Sequence, residues 1–156
     1  MCPRVDYDQI AAQYDAQPFR DKPVDPDLLA FLSQRAGRSG DDCALLDIGC
    51  GTGNQLVSNR AVMPAAQMVG VDRFHGMLRQ AAHKMCSVGW VQADGANLPL
   101  VGRGFDFVTS QFSFHHLADK SRMLAEVFRV LKAGGRFVMT NICPREMRGW
   151  VVYRFF

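Results

Sequence analysis

The chain contains no C-x-x-C pair, and its five cysteines (Cys2, Cys43, Cys50, Cys86 and Cys143) are odd in number. That spacing offers neither a zinc site nor a disulfide framework, so no metal is expected and a reduced, cytoplasmic setting fits. No apolar run approaches the roughly 18 residues of a membrane span. The opening Met1-Cys2-Pro3-Arg4-Val5-Asp6 lacks the apolar centre of a secretory leader. There is no internal repeat, no low-complexity tract and no dense Lys/Arg run. Residues 1–100 carry 9 basic and 11 acidic side chains, and residues 101–156 carry 9 and 4. An asymmetry that mild gives no electrostatic footprint for nucleic acid.

What is present is ordinary for one globular domain. The 156 residues are 48% hydrophobic and 21% charged, enough to enclose a core. Asp6 to Ala16 has helical spacing, with Ile10, Ala11 and Tyr14 on one face. Asp25-Pro26 reads as an N-cap followed by proline at the first helical position, with Gly37 as the stop. These two helices are expected to lie over the rest as a flap, residues 1–40.

From residue 42 short apolar runs alternate with helical stretches. The runs are Cys43–Ile48, Gln67–Val71, Val88–Gln92, Phe105–Ser110 and Arg136–Asn141. The helices are Gly53–Val62, Phe74–Met85 and Lys120–Lys132, the last stopped by Gly134-Gly135, and residues 93–103 form a loop. Alternation of this kind predicts an α/β fold, a doubly wound parallel sheet of five strands covered on both faces. Met63, Met68, Met77, Met85, Met123 and Met139 fall on faces expected to point into the core.

Ligands of such sheets bind beyond the carboxyl ends of the strands. There the sequence places Asp47-Ile48-Gly49-Cys50-Gly51-Thr52-Gly53, then Asp72, then Asp94, then Ser110-Gln111. One strand-end aspartate is commonly a helix cap or a turn former. Three in succession, with a glycine loop after the first, point to a ligand. Gly49, Gly51 and Gly53 allow a tight turn and close backbone approach, and the loop opens into a helix N-terminus that favours an anion. Asp72 follows Gly51 by 21 residues, the spacing of a carboxylate that accepts from ribose hydroxyls. A nucleoside-containing ligand follows.

That ligand is not expected to be a dinucleotide. The third glycine of the loop comes one residue early for G-x-G-x-x-G, with Asn54 in its place. Asp47 would repel a pyrophosphate and suits an ammonium or sulfonium charge instead. No Tyr-x-x-x-Lys pair serves hydride transfer, and no G-x-x-x-x-G-K-[ST] loop occurs.

These residues resemble the motifs of class I S-adenosylmethionine-dependent methyltransferases. Leu45 to Gly53 looks like their first motif, Val69-Gly70-Val71-Asp72 like the acidic second, and Gln92 to Pro99 like the adenine-binding third. Phe105-Asp106-Phe107-Val108 through His115-His116-Leu117, and Arg129 to Gly135, are similar to the later ones. Tyr7 to Asp15 resembles the lead-in of the type 11 branch, which includes ubiquinone/menaquinone-biosynthesis enzymes. The resemblance runs from about residue 7 to 143 and is specific for cofactor and fold, not for substrate. It implies S-adenosylmethionine as cofactor. Gly49, Gly51, Thr52 and Gly53 would cradle the methionine part, and Asp47 would orient the loop and the ammonium. Asp72 would hold the ribose hydroxyls, with Arg73 and Met77 flanking adenine. Asp94 and Gly95 would meet the adenine edge, the Gln111 carbonyl the ammonium, and Tyr14 would close from the flap.

The resemblance also exposes departures. Phe74 stands where a capping Ser is common, and Ala133 where a Pro is. The family sheet has seven strands in the order 3-2-1-4-5-7-6. Here a core at 41–143 supplies five, in the order 3-2-1-4-5, and residues 144–156 read as the cut start of a further element. An uncovered fifth strand is expected to self-associate through its edge. His115 and His116 are candidates for a general base or acceptor-orienting group, or else a loop pair that packs on the sheet. Cys50 reads as a packing residue, and Arg145, Arg148 and Arg154 as a solvated face. The expected function is methyl transfer to a small-molecule acceptor. The alternatives are a cofactor-binding but catalytically incomplete fragment or subunit, and a nucleotide-dependent oxidoreductase.

Overall fold

The computed structural model describes residues 6–17, 20–35 and 39–141. Chain order is α1 (Tyr7–Ile10), a 3-10 helix (Ala11–Ala16), α2 (Pro26–Ser33), β1 (Ala44–Ile48), α3 (Asn54–Asn59), β2 (Gln67–Asp72), α4 (His75–Lys84), β3 (Gly89–Gln92), β4 (Phe105–Gln111), α5 (Lys120–Val130) and β5 (Leu131–Thr140). Short 3-10 turns at Gly40–Asp42 and Phe114–His116 complete it. The strands form one sheet in the order β3-β2-β1-β4-β5, and every neighbouring pair is parallel.

β1 explains why the sheet is buried on both sides. All five of its residues are buried, and successive side chains face opposite ways. Leu45 joins Leu28 and Phe31 of α2, Leu56 of α3 and Leu78 of α4. Ala44, Leu46 and Ile48 join Met123, Val127 and Val130 of α5 on the other face. A strand sandwiched in this way has to be apolar throughout, and the one polar residue inside it, Asp47, is buried too.

Several boundaries differ from those expected. The first helix is one α-turn followed by 3-10 geometry. The two middle helices are shorter than their spacing suggests, at Asn54–Asn59 and His75–Lys84. The last stops at Val130, before its glycines. There the N–H groups of Arg103 and Gly104 bond the carbonyls of Arg129 and Val130 at 2.9 and 2.8 Å, and Leu131 turns extended to pair with Phe105. The next pair in that ladder is Phe107 with Arg136, so Lys132 to Gly135 bulge from β5, with Gly134 at φ +76°. Met139 is 43% exposed, against the expected core position, because β5 carries no wholly buried residue. Gly37 and the segment 144–156, with Arg145, Arg148 and Arg154, lie outside the described residues.

Asp106 fastens the end of the sheet opposite the glycine loop. Its carboxylate accepts from the Ala44 N–H at 2.9 Å, from Arg35 at 2.9 Å and from Lys132 at 2.6 Å, which ties the residues after α2 and the β5 bulge to β1. Burial alone would raise its pKa, but these partners outweigh burial and hold it below the usual value. Asp106→Ala leaves a buried N–H and a mostly buried guanidinium without their acceptor. It is expected to cost about 2–3 kcal/mol of stability in urea unfolding, while Arg35→Ala, which leaves Lys132 in place, costs less.

Candidate functional site

A cavity of about 210 Å³ opens beyond the carboxyl ends of β1, β2 and β4. Tyr14, Asp47, Gly49, Gly51, Thr52, Asp72, Arg73, Met77, Asp94, Gly95 and Gln111 all line it, as does His116. Gly53 and His115, singled out with them from the sequence, are not among the lining residues.

The glycine loop has a different purpose at each position. At Gly51 φ is +54° and a Cβ would meet nothing of the protein within 4 Å, so its missing side chain leaves space on the cavity side. At Gly49, φ +77°, a Cβ would strike Ser113 Cβ at 2.2 Å; Ser113 in turn donates from Oγ to the Ile48 carbonyl at 2.9 Å. Gly53, φ +77°, faces away, where a Cβ would lie 2.6 Å from the Trp90 indole; Gly70 on β2 meets the same ring at 2.5 Å. Gly53 is therefore a packing glycine in this structure rather than part of the cavity wall.

Asp72 ties the loop to the second strand. One carboxylate oxygen accepts the Gly51 N–H at 2.8 Å and the other the Phe74 N–H at 2.9 Å. The loop is thus oriented by Asp72, where the sequence had suggested Asp47. Burial pushes the Asp72 pKa up, and the backbone N–H groups of Phe74 and Gly51 oppose it. Asp47 is 3% exposed, and its Oδ1 has no hydrogen-bond partner. Burial first, then the negative charges of Asp72 and Asp25, raise its pKa to about 7, with Lys22 opposing. A buried carboxylate of this kind is most stable when a cation reaches it.

Lys22 and Arg20, which the sequence did not single out, also line the cavity. Arg20 closes a turn on the Gln17 carbonyl, and Lys22 lies on the irregular stretch that follows, with no periodicity of its own. Side chains of α3 hold it: Asn54 donates to the Arg20 carbonyl at 3.1 Å, Ser58 to Lys22 at 2.6 Å and Gln55 to Pro23 at 3.0 Å. The Lys22 ammonium sits 4.8 Å from the centre of the Phe112 ring, and the Arg20 guanidinium 3.7 Å from that of Tyr14. Burial and then Arg20 depress the Lys22 pKa. The cavity wall therefore carries a buried carboxylate oxygen without a hydrogen-bond partner together with two cations, which suits an amino-acid head group.

The remaining expected residues divide. Asp94 Oδ1 accepts the Ala96 N–H at 2.9 Å and so caps its own turn while lining the cavity. Gly95 is required for packing, since a Cβ would lie 2.9 Å from Ile48 Cγ2. The Gln111 side chain donates to Asp25 Oδ2 at 3.2 Å. Cys50 is buried, and burial followed by Asp47 and Asp72 holds its thiol well above the ordinary value, which suits packing and not nucleophilic attack. Among the described residues no cluster of His, Cys, Asp or Glu could hold a metal, and no helix is long and apolar enough to cross a membrane.

The Asp47 shift predicts a pH effect. With the folded pKa near 7 and the ordinary value at 3.8, the native state holds a proton that the unfolded chain has lost between those values. This contribution to stability is complete below 3.8 and disappears as pH rises through 7. Asp47→Asn is neutral at every pH, so it is expected to raise the Tm of the ligand-free chain at pH 8 and to raise it by clearly less at pH 5. Equal shifts at both pH values in thermal unfolding would contradict the assignment.

Comparison with known proteins agrees with the fold and the loop. Residues 46–139 match a family described as a methyltransferase domain. The chain is 33% identical over 152 residues to a ubiquinone/menaquinone biosynthesis C-methyltransferase from Desulfotalea psychrophila, covering 96% of this chain and 61% of that protein. It is 36% identical over 141 residues to a demethylmenaquinone methyltransferase from Symbiobacterium thermophilum, covering 85% and 55%. Among solved structures, an S-adenosylmethionine dependent methyltransferase from Mesorhizobium loti superposes with a TM-score of 0.66 at 27% identity, covering 78% of this chain and 55% of that one. The chain spans little more than half the length of the curated relatives it matches. With the strand order, the left-handed glycine loop and the strand-end aspartates in place, this chain belongs to the methyltransferase domain family.

Proposed function

We propose that this chain binds S-adenosylmethionine in the cavity and takes part in moving its methyl group to a small-molecule acceptor. The observation that carries the reading is the buried, unpartnered Oδ1 of Asp47, set beside Asp72 and the open Gly51 backbone. One carboxylate awaits a cation and the other has lone pairs left for a diol. The residues fit the group: Asp47 would take its ammonium, and Lys22 with Arg20 its carboxylate. The loop at Gly49, Gly51 and Thr52 would lie along its methionine part, with the Gln111 backbone close by. Asp72 would accept from the ribose hydroxyls, and Arg73, Met77, Asp94 and Gly95 would bound the adenine. Tyr14 would cover it from the N-terminal flap.

When bound, the cofactor supplies a methyl carbon on a positively charged sulfur. The chain's own contribution is to orient and to exclude water, and orientation alone supplies roughly 7–11 kcal/mol in well-aligned reactions. Of the two candidate histidines, only His116 lines the cavity.

Calorimetric titration tests the cofactor assignment. S-adenosylhomocysteine is expected to bind, and NAD is not. Asp72→Ala removes an acceptor of two charge-assisted bonds, roughly 1.5–3 kcal/mol each before water compensates. It should weaken S-adenosylhomocysteine at least tenfold, with circular dichroism showing the sheet retained. Gly51→Val should abolish binding, while Cys50→Ala leaves it nearly unchanged. Binding of NAD in preference to S-adenosylhomocysteine would favour the oxidoreductase reading.

We further propose self-association through β5, supported by a strand with β4 on one side and no strand among the described residues on the other. Open edges of this kind are templates for pairing. Sedimentation across micromolar concentrations is expected to show a mass rising with concentration. A constant monomer mass would refute it.

A further inference from the structure

The N-terminal segment packs on α4 but buries little of itself there. Across α1 and the 3-10 helix that follows it, only Ala11 is buried. The segment is instead fastened at three polar points. At one end the Tyr7 hydroxyl meets His116 Nε2 at 3.1 Å. In the middle, Asp8 accepts the Gly76 N–H in the first turn of α4. At the other end, Asp15 accepts from Thr52 at 2.6 Å and Asn54 at 2.9 Å and pairs with Lys84. The outer two points lie on opposite sides of the cavity, one after β4 and the other on the glycine loop and α3. Tyr7, Tyr14, Thr52, Asn54 and His116 all line it.

The His116 fastening is built in depth. The Tyr7 ring packs on Phe74 at 5.2 Å and edge-on to His116 at 5.5 Å. The His116 ring lies 3.9 Å from that of His115, whose Nδ1 is 2.8 Å from Asn141 Oδ1. Burial keeps the Tyr7 phenol protonated, opposed only by Arg20, while Tyr14 and Asp72 add to it. Burial and then His115 hold the His116 ring below its ordinary pKa, which favours the neutral imidazole with one bare nitrogen. With the ring proton on Nδ1, the phenol donates and Nε2 accepts.

We propose that the Tyr7–His116 hydrogen bond is a latch that holds residues 7–16 across the cavity and sets the rate at which a bound nucleoside ligand leaves. His116 is then a positioning residue acting through Tyr7. The inference rests on the cofactor reading above only for the identity of the ligand, because the latch itself exists in the ligand-free chain.

Hydrogen–deuterium exchange of the free protein tests the latch directly. Tyr7→Phe keeps the ring and removes the donor. It is expected to speed amide exchange across residues 7–16 while the amides of β1, β2 and β4 keep their protection. Competition-chase kinetics with S-adenosylhomocysteine test the consequence. Dissociation should be about three- to tenfold faster in Tyr7→Phe and in His116→Ala, the range one net hydrogen bond supplies, with association little changed. Their combination should add nothing further, as residues sharing one bond require. His116→Gln offers an acceptor oxygen to the phenol and is expected to restore slow dissociation, which a purely structural histidine would not. Unchanged exchange across 7–16 in Tyr7→Phe overturns the latch, and so does faster exchange with unchanged dissociation. Absence of any S-adenosylhomocysteine binding by the wild-type chain overturns the cofactor reading instead, and the exchange result then decides the latch alone.

Discussion

The carboxylate of Asp72 is the joint on which the site depends. It stands at the end of the second strand and accepts from the loop after the first strand and from the entry to α4. Without it, the Gly51 amide would lose its acceptor, and the left-handed turn that opens the backbone to the cavity would lose its anchor. The arrangement has an electrostatic cost. A second buried carboxylate, Asp47, lies near enough for Asp72 to raise its pKa. Backbone N–H groups stabilise the charge of Asp72, and Asp47 has no comparable support on Oδ1. Two acids on adjacent strands thus come to differ in proton affinity, which fits one for a neutral diol and the other for a cation.

The N-terminal third obeys a different logic. Ahead of α2, Ala11 is the one buried hydrophobic residue among those described, and side chains bonding to backbone hold the segment. Asn59 links Asp25 to α3, its Oδ1 accepting the Asp25 N–H and the Gln55 amide at 2.9 Å each. Asp25 caps α2 in turn. Phe74 gives α4 no side-chain cap of its own, and Asp8 supplies one from another part of the chain. Gly76 permits it, because a Cβ there would lie 2.8 Å from the Asp8 oxygen and 3.2 Å from its Cα. The departure noticed in the sequence at position 74 is made good by an Asp8–Gly76 bond that spans 68 residues.

What was legible in the sequence is what local pattern encodes. Five apolar runs gave five strands, and the loop and acids at their ends gave the wall of the cavity. The misplaced end of α5 shows the limit. Lys132 to Gly135 look like a helix stop, but Arg103 and Gly104 take the last carbonyls of the helix, and Leu131 is drawn to Phe105. Lys22 and Arg20 escaped notice because an irregular segment held by another helix's side chains has no period to detect. The Tyr7–His116 pair is separated by 109 residues, and neither residue alone signals the other. Gly53 holds the expected motif position, and its missing side chain makes room for an indole that no local pattern announces.

That indole ties distant substitutions together. Gly53 after the first strand and Gly70 within the second both give up their side chains to Trp90 on the edge strand. Neither glycine can become alanine while the tryptophan remains, and shrinking the tryptophan would open a void beneath the loop that both glycines border. The three positions therefore form a single unit of sequence change. An edge strand that never touches the cavity constrains which sequences can form its floor.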